Sequence, residues 1–212
     1  MTGRAIDLLV VVGPSGTGKS TLIQRLMKEF PAAFGYSISH TTRAPRTGEV
    51  DGVSYHFTTP AKFADIVAQG KFLEHATVHG TSYGTSEMSV ENVLATNKVV
   101  SMDLDIKGAQ RLRMNHRFRS CILFIKTPSH AELEQRLRKR NTETEDKLQT
   151  RLTNAKKEVA WSESNSAFFD GILVNDDLDA CYLAFREKVL SICFPDGVVN
   201  RASNFDGMIH SR

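Results

Sequence analysis

The chain has 212 residues, of which 41% are hydrophobic and 24% charged, as expected for one soluble globular core with insertions. Lys and Arg number 27 against 24 Asp and Glu, too even a balance to argue for a nucleic-acid partner, although it leaves room for a local basic site. No apolar run reaches the length of a membrane span, and nothing at the N-terminus reads as a signal-peptide h-region. Cys121, Cys181 and Cys193 are odd in number and far apart, which fits buried thiols in a reducing, cytoplasmic compartment better than a disulfide framework or a metal site.

Ile6 to Val12 reads as a buried strand. Gly13-Pro14-Ser15-Gly16-Thr17-Gly18-Lys19-Ser20, followed by Thr21, has the spacing G-x-x-x-x-G-K-[ST]. A helix follows, with Leu22, Ile23, Leu26 and Met27 at helical spacing, and Pro31 stops it. Strand, glycine-rich turn and helix are the context in which this motif captures anions. Glycines turn successive N–H groups inward, and the helix N-terminus adds partial positive charge. Lys19 is placed to reach the β/γ-phosphates and Ser20 to hold magnesium. A nucleoside triphosphate is therefore expected to bind.

Tyr36 to Ser39 alternates weakly, as a strand does. Residues 41–49 form a polar loop, and Tyr55 to Phe57 a short strand. Thr59 and Pro60 open a helix to about Gln69. Phe72 to Val78 and Thr81 to Tyr83 read as a hairpin, and Ser86 to about Asn97 as a helix. The core resumes with the strand Val99 to Asp105, the helix Ile106 to Met114 and the strand Ser120 to Ile125. Ser129 with Glu132, and Thr142 with Glu145, read as capping boxes for two helices that end near Arg140 and Ser162. Gly171 to Val174 is a last strand, and Asp177 caps a helix to about Cys193. The tail from Pro195 shows no periodicity and is expected to pack loosely. The alternation implies an α/β fold, a mostly parallel sheet with helices on both faces. The expected division is a core of 1–37, 98–128 and 163–212, an inserted lobe of 38–97 and a helical lid of 129–162.

Asp103 at a strand end is a candidate magnesium group opposite Ser20, partly through water, and Asp105 is expected to share its geometry two residues on. Arg43 and Arg46, on a loop stiffened by Pro45, suit a phosphate gripped by two guanidinium forks; a solvated basic loop fits these residues equally well. A carboxylate such as Glu74 can accept both the N1–H and the exocyclic N–H of guanine, and hydroxyls such as Ser39 or Thr85 can donate to its carbonyl. Arg136 and Arg140 share a helix face, and Arg151 lies on the next helix. Such a run is ordinarily a solvated face, but beside a triphosphate it can stabilise phosphoryl transfer.

From Ile6 to about Leu190 these residues resemble the guanylate kinase family. The motifs are 13–21, Ser-His-Thr-Thr-Arg-Ala-Pro-Arg-Thr-Gly-Glu at 39–49, Phe-Leu-Glu-His-Ala at 72–76 and Tyr-Gly-Thr-Ser at 83–86. Asp-Leu-Asp-Ile-Lys-Gly at 103–108, residues 136–145 and Val-Asn-Asp-Asp-Leu-Asp at 174–179 complete them. The resemblance implies ATP and GMP as substrates (dGMP being a further candidate), ADP and GDP as products, Mg2+ as cofactor, and a cytoplasmic monomer. It implies that Ser39, Glu74 and Thr85, with Asp103 and Asp105 nearby, read guanine. Arg43, Arg46, Tyr55 and Tyr83 would hold the GMP phosphate. Lys19, Arg136, Arg140 and Arg151 would surround the transferred group, with Asn175 on the ATP side. Asn141 resembles animal-type members.

Two rivals have weaker support. Peptide-binding scaffold domains of the same fold typically lack the P-loop lysine, which is present here. A GTPase switch would use D-x-x-G, matched by Asp105-Ile106-Lys107-Gly108, but no N-K-x-D follows: Asn97-Lys98-Val99-Val100 comes earlier and lacks the Asp.

Overall fold

The computed structural model describes residues 4–78, 80–139 and 144–197. In chain order the strands are β1 (Leu8–Val12), β2 (Phe34–Tyr36), β3 (His40–Thr41), β4 (His56–Phe57), β5 (Phe72–Val78), β6 (Thr81–Ser86), β7 (Val99–Leu104), β8 (Ser120–Lys126) and β9 (Gly171–Val174). The helices are α1 (Lys19–Glu29), α2 (Pro60–Ala68), α3 (Glu87–Leu94), α4 (Ile106–Met114), α5 (His130–Lys139), α6 (Glu145–Ser164) and α7 (Leu178–Cys193).

The apolar runs that end beside the P-loop become one five-stranded sheet in the order β2-β7-β1-β8-β9, parallel throughout. All five residues of β1 are buried, as a central strand covered on both faces requires. The alternation of side chains splits the core into two layers. Leu9 and Val11 pack with Leu22, Ile23 and Leu26 of α1 and with Tyr182, Phe185 and Val189 of α7. Leu8, Val10 and Val12 pack with Val90, Ala109 and Leu112 from α3 and α4. Glu29, fully buried, accepts from Tyr182 Oη and Arg186 and so ties the end of α1 to α7.

A second sheet, β4-β3-β6-β5, is built from the stretch between β2 and α3. Its hairpin β5–β6 turns at Gly80, which has φ +76°. Thr59 caps α2 by accepting from Lys62 N, and Ser86 caps α3 by accepting from Ser89 N. Among the described residues no helix is long and apolar enough to cross a membrane.

Several local expectations change. The strand expected at Tyr36–Ser39 falls at Phe34–Tyr36. Ser37–Ser39 instead link the two sheets, because Phe34 fills the core beside Phe30 and Phe194. Helix α3 stops at Leu94, short of Asn97, whose φ of +60° is left-handed. The Ser129 hydroxyl accepts from Glu132 N, but the Glu132 carboxylate turns to Arg136 instead of closing the box. Helix α6 has Thr144 at its N-cap with no side-chain cap, so Glu145 is the first helical residue and not the third. Thr142 lies outside the described residues, as does the tail beyond 197.

Candidate active site

Gly13 leaves β1 with φ +138°, and a Cβ there would lie 2.1 Å from the Ile125 carbonyl oxygen, so only glycine fits against β8. Gly18 caps α1 at φ +92°, in the left-handed region. These two positions bend the chain so that Gly13–Gly18 wrap the N-terminus of α1, where unpaired N–H groups and the helix dipole favour an anion. Asn175, 3% exposed after β9, braces the loop by donating from Nδ2 to the Thr17 carbonyl at 2.8 Å. Thr17 Oγ1 donates to the Pro14 carbonyl at 2.9 Å.

Lys19 Nζ donates to the carbonyls of Gly13 at 2.7 Å and Pro14 at 3.0 Å, and stands 3.6 Å from Asp103 Oδ1. Ser20 Oγ donates to Asp103 Oδ2 at 3.2 Å. Asp103 gets there because β7 pairs with β1 in the register Val11↔Asp103, at the carboxyl end of the sheet. Burial raises the Asp103 pKa above its ordinary value, with Lys19 and Ser20 opposing. A hydroxyl and a carboxylate meeting at one point are hard oxygen donors of the kind magnesium takes from protein in ones and twos.

Asp105 departs from the expected geometry. It is the N-cap of α4, its Oδ1 accepting from Gly108 N at 2.6 Å, because the chain turns from strand to helix immediately after Leu104. Its carboxylate therefore stands at the helix start and not on the strand edge with Asp103.

Arginines reach the loop from two helices. Arg151 Nη1 on α6 donates to Ser15 Oγ at 2.7 Å. Arg136 on α5 donates to Glu132 Oε1 at 2.7 Å and to the Asp176 carbonyl at 3.1 Å. Arg136, Gly16, Gly18, Thr21, Asn175 and Leu178 line a cavity of about 390 Å³ beside the P-loop. Arg140 and Asn141 lie outside the described residues.

The second sheet gathers the other expected residues. Glu74 on β5 is 5% exposed, and its Oε1 accepts from Thr85 N on β6 at 2.9 Å. Burial pushes its carboxyl up to about 7, and Asp105 adds to the rise while the Thr85 hydroxyl and amide oppose it. Ser39 Oγ and Thr85 Oγ1 share a hydrogen bond at 3.2 Å. Arg43 lies 5.3 Å from the Tyr55 ring centroid, and the Tyr55 and Tyr83 rings are 6.1 Å apart. Arg46 is exposed at the turn of the same loop. A groove of about 450 Å³ lined by His40, Asp51, His56, Lys62, Asp65 and Ile66 holds none of the expected site residues.

Two residues at the site carried no role in the sequence reading. Glu49 grips Arg43 with both oxygens, at 2.8 and 2.9 Å, and accepts from Arg46 N at 2.7 Å. The Arg43 hydrogen bonds hold its carboxyl down at about 2. The signal was present, since Glu49 ends the 39–49 motif, three residues after Arg46. Glu158 lies seven residues past Arg151 on α6, two helical turns along the same face. Burial pushes it up to about 7, the charges of Asp105 and Asp103 add to the rise, and Lys19 opposes it. Nothing in the local sequence of a long polar helix singled it out.

Comparisons with known proteins give the family of the chain. The guanylate kinase family profile matches residues 5–191. A rice protein named guanylate kinase 1 is 51% identical over 190 residues, 90% of this chain, and the chain spans about half of that relative's length, 49%. A pig guanylate kinase is 43% identical over 181 residues, covering 85% of this chain and 90% of the pig protein. The rice protein thus shares more identity with this chain than the pig protein does. The crystal structure of a guanylate kinase from Anaplasma phagocytophilum superposes with a TM-score of 0.67 at 27% identity, covering 88% of this chain and 86% of that one. With a family match across nearly all of the described core, the chain belongs to the guanylate kinase family.

Proposed function

We propose that this chain transfers the γ-phosphoryl group of ATP to GMP, giving ADP and GDP. The observation that carries the reading is one buried carboxylate. Glu74 presents two oxygens beside a pair of hydroxyls, in a sheet linked through Ser37–Ser39 to the core sheet, whose P-loop lysine faces an aspartate. A carboxylate matches the N1–H and 2-amino group of guanine and mismatches adenine, whose N1 has no proton.

A phosphate oxygen of GMP bonds to the γ-phosphorus, the bond from that phosphorus to the β,γ-bridging oxygen breaks, and its electron pair leaves with ADP. The nucleophile is already anionic at neutral pH, so no general base is required. The chain's task is positioning and charge stabilisation. Lys19 exchanges its carbonyl partners for phosphate oxygens. Arg43 and Arg46, with the Tyr55 and Tyr83 hydroxyls, hold the GMP phosphate. Arg136 and Arg151 approach from the other side, and Asn175 keeps the loop in shape. Magnesium would be held by Ser20 and Asp103, where it neutralises charge on the triphosphate.

We assign the working parts as a core of 1–37, 98–128 and 163–212, a GMP lobe of 38–97 and a lid of 129–162. A steady-state assay tests the function. ADP formation that requires GMP is the expected result. Hydrolysis of GTP without GMP, or no turnover at all, would overturn it in favour of a switch or a binding module.

A further inference from the structure

The match to D-x-x-G at Asp105–Gly108 is left unexplained by phosphoryl transfer, and the structure gives it a different job. Gly108 sits in the first turn of α4 and is buried. A Cβ at 108 would lie 2.7 Å from Glu74 Oε2, 3.2 Å from Asp105 Oδ1 and 3.4 Å from Glu74 Cδ. The nearest approach is closer than carbon and oxygen tolerate. The obstacle is not backbone but the end of the side chain proposed to read the base.

We propose that Gly108 is a specificity-determining position, its missing side chain being what lets the Glu74 carboxylate stand against α4 in the pose that reads the guanine edge. The inference rests on the proposed GMP-directed function. Three observations meet in it. Glu74 Oε1 is pinned by Thr85 N at 2.9 Å, so the carboxylate cannot swing aside and keep that bond. Glu74 is 5% exposed, so there is little room elsewhere. Asp105 is held by Gly108 N at 2.6 Å, so the second carboxylate is fixed to the same turn and cannot retreat independently. A methyl at 108 therefore forces the carboxylate out of that pose at the expense of its bond to Thr85 N, while leaving the helix intact. Alanine is itself the better helix former.

The test is Gly108→Ala, compared with wild type and with Lys107→Ala, an exposed position in the same turn. GMP and IMP, which lacks the 2-amino group, are each titrated calorimetrically, and a nonhydrolysable ATP analogue separately. Gly108→Ala is expected to bind GMP at least about tenfold more weakly and to lose most of the preference for GMP over IMP, with ATP-analogue affinity unchanged. Lys107→Ala should match wild type. In a Glu74→Asp background, where the carboxylate is one methylene shorter, adding Gly108→Ala should cost less than about twofold, because the two positions are coupled. If Gly108→Ala alone fails to fold, folding of the double variant supports the contact, and its failure overturns it. Unchanged GMP affinity and unchanged GMP-over-IMP preference in Gly108→Ala overturn the inference alone. A wild type that binds no GMP overturns the function on which it rests.

Discussion

In the proposed reaction the P-loop and the second sheet recognise their ligands by opposite means. The P-loop presents backbone. Its N–H groups are set by glycine geometry and one helix N-terminus, and a single lysine adds charge. The second sheet presents side chains already engaged with one another: Arg43 with Glu49, Ser39 with Thr85, Glu74 with Thr85 N. Backbone recognition suits a polyphosphate, which is the same in every nucleoside triphosphate. Side-chain recognition suits a base, where one proton separates the right ligand from the wrong one. The two surfaces should therefore fail differently when altered.

The largest effect is expected at Lys19, the one P-loop side chain that backbone cannot replace. Lys19→Ala should lower kcat by at least about 10²-fold, the scale for losing one transition-state charge partner. GMP affinity, measured by calorimetry, should stay near wild type because the second sheet is untouched. Turnover near normal would remove Lys19 from the mechanism.

Glu74 breaks the comparison from the other side. Glu74→Gln should weaken GMP binding by about 10- to 100-fold, since an amide N–H then faces a guanine N–H. It also separates function from stability through pH. The folded Glu74 carboxyl titrates near 7 instead of its ordinary 4.5, so the folded chain holds that proton more tightly than the unfolded chain. The cost of ionising it is absent below about pH 4.5, grows between 4.5 and 7, and is complete above 7. Glu74→Gln should therefore gain in Tm over wild type at pH 8 and gain little at pH 4.5. Wild-type GMP affinity should fall as pH drops below about 7, because the protonated carboxyl accepts less well, and the variant's affinity should not follow that curve. A Tm difference independent of pH would show that Glu74 carries no such strain.

What could be read from the chain follows the same divide. The P-loop was legible because its logic is local: eight residues, a preceding strand and a following helix specify the turn. The parallel core was legible for a related reason, since apolar runs such as Leu8–Val12 and Ser120–Lys126 are buried on both faces. The proposed guanine site is not local. Ser39, Glu74 and Thr85 come from separate places in the chain and meet only through the pairing of β5 with β6 and of β3 with β6. Family resemblance supplied them; spacing could not. Asp105 was misplaced because a residue that ends a strand and one that caps the next helix look alike in sequence, and only Leu104 separates it from Asp103. Glu49 and Glu158 were missed because their partners, Arg43 across a loop and Lys19 across the fold, depend on tertiary approach.

Arg151 and Ser15 give a sharper and smaller contrast. Arg151→Ala should lower kcat by about 10²-fold, as expected of a cation that meets the transferred group. One group it touches in the structure, the Ser15 hydroxyl, should matter far less. Ser15 Oγ accepts from Arg151 Nη1 at 2.7 Å, but Ser15 lies within the loop, whose grip on phosphate comes from main-chain N–H groups. Ser15→Ala keeps every one of those groups. In the proposed working complex a phosphate oxygen takes over as the acceptor for Arg151, so the lost hydroxyl would be missing only from the resting arrangement. Ser15→Ala is therefore expected to change kcat and the KM for ATP by no more than about threefold, within the roughly 1 kcal/mol that one replaceable hydrogen bond contributes. Steady-state kinetics on the two single variants and the double variant decide the point. If Ser15→Ala alone falls as far as Arg151→Ala, the serine side chain takes part in transfer, and the division between a backbone-reading loop and a side-chain-reading sheet fails at its clearest place.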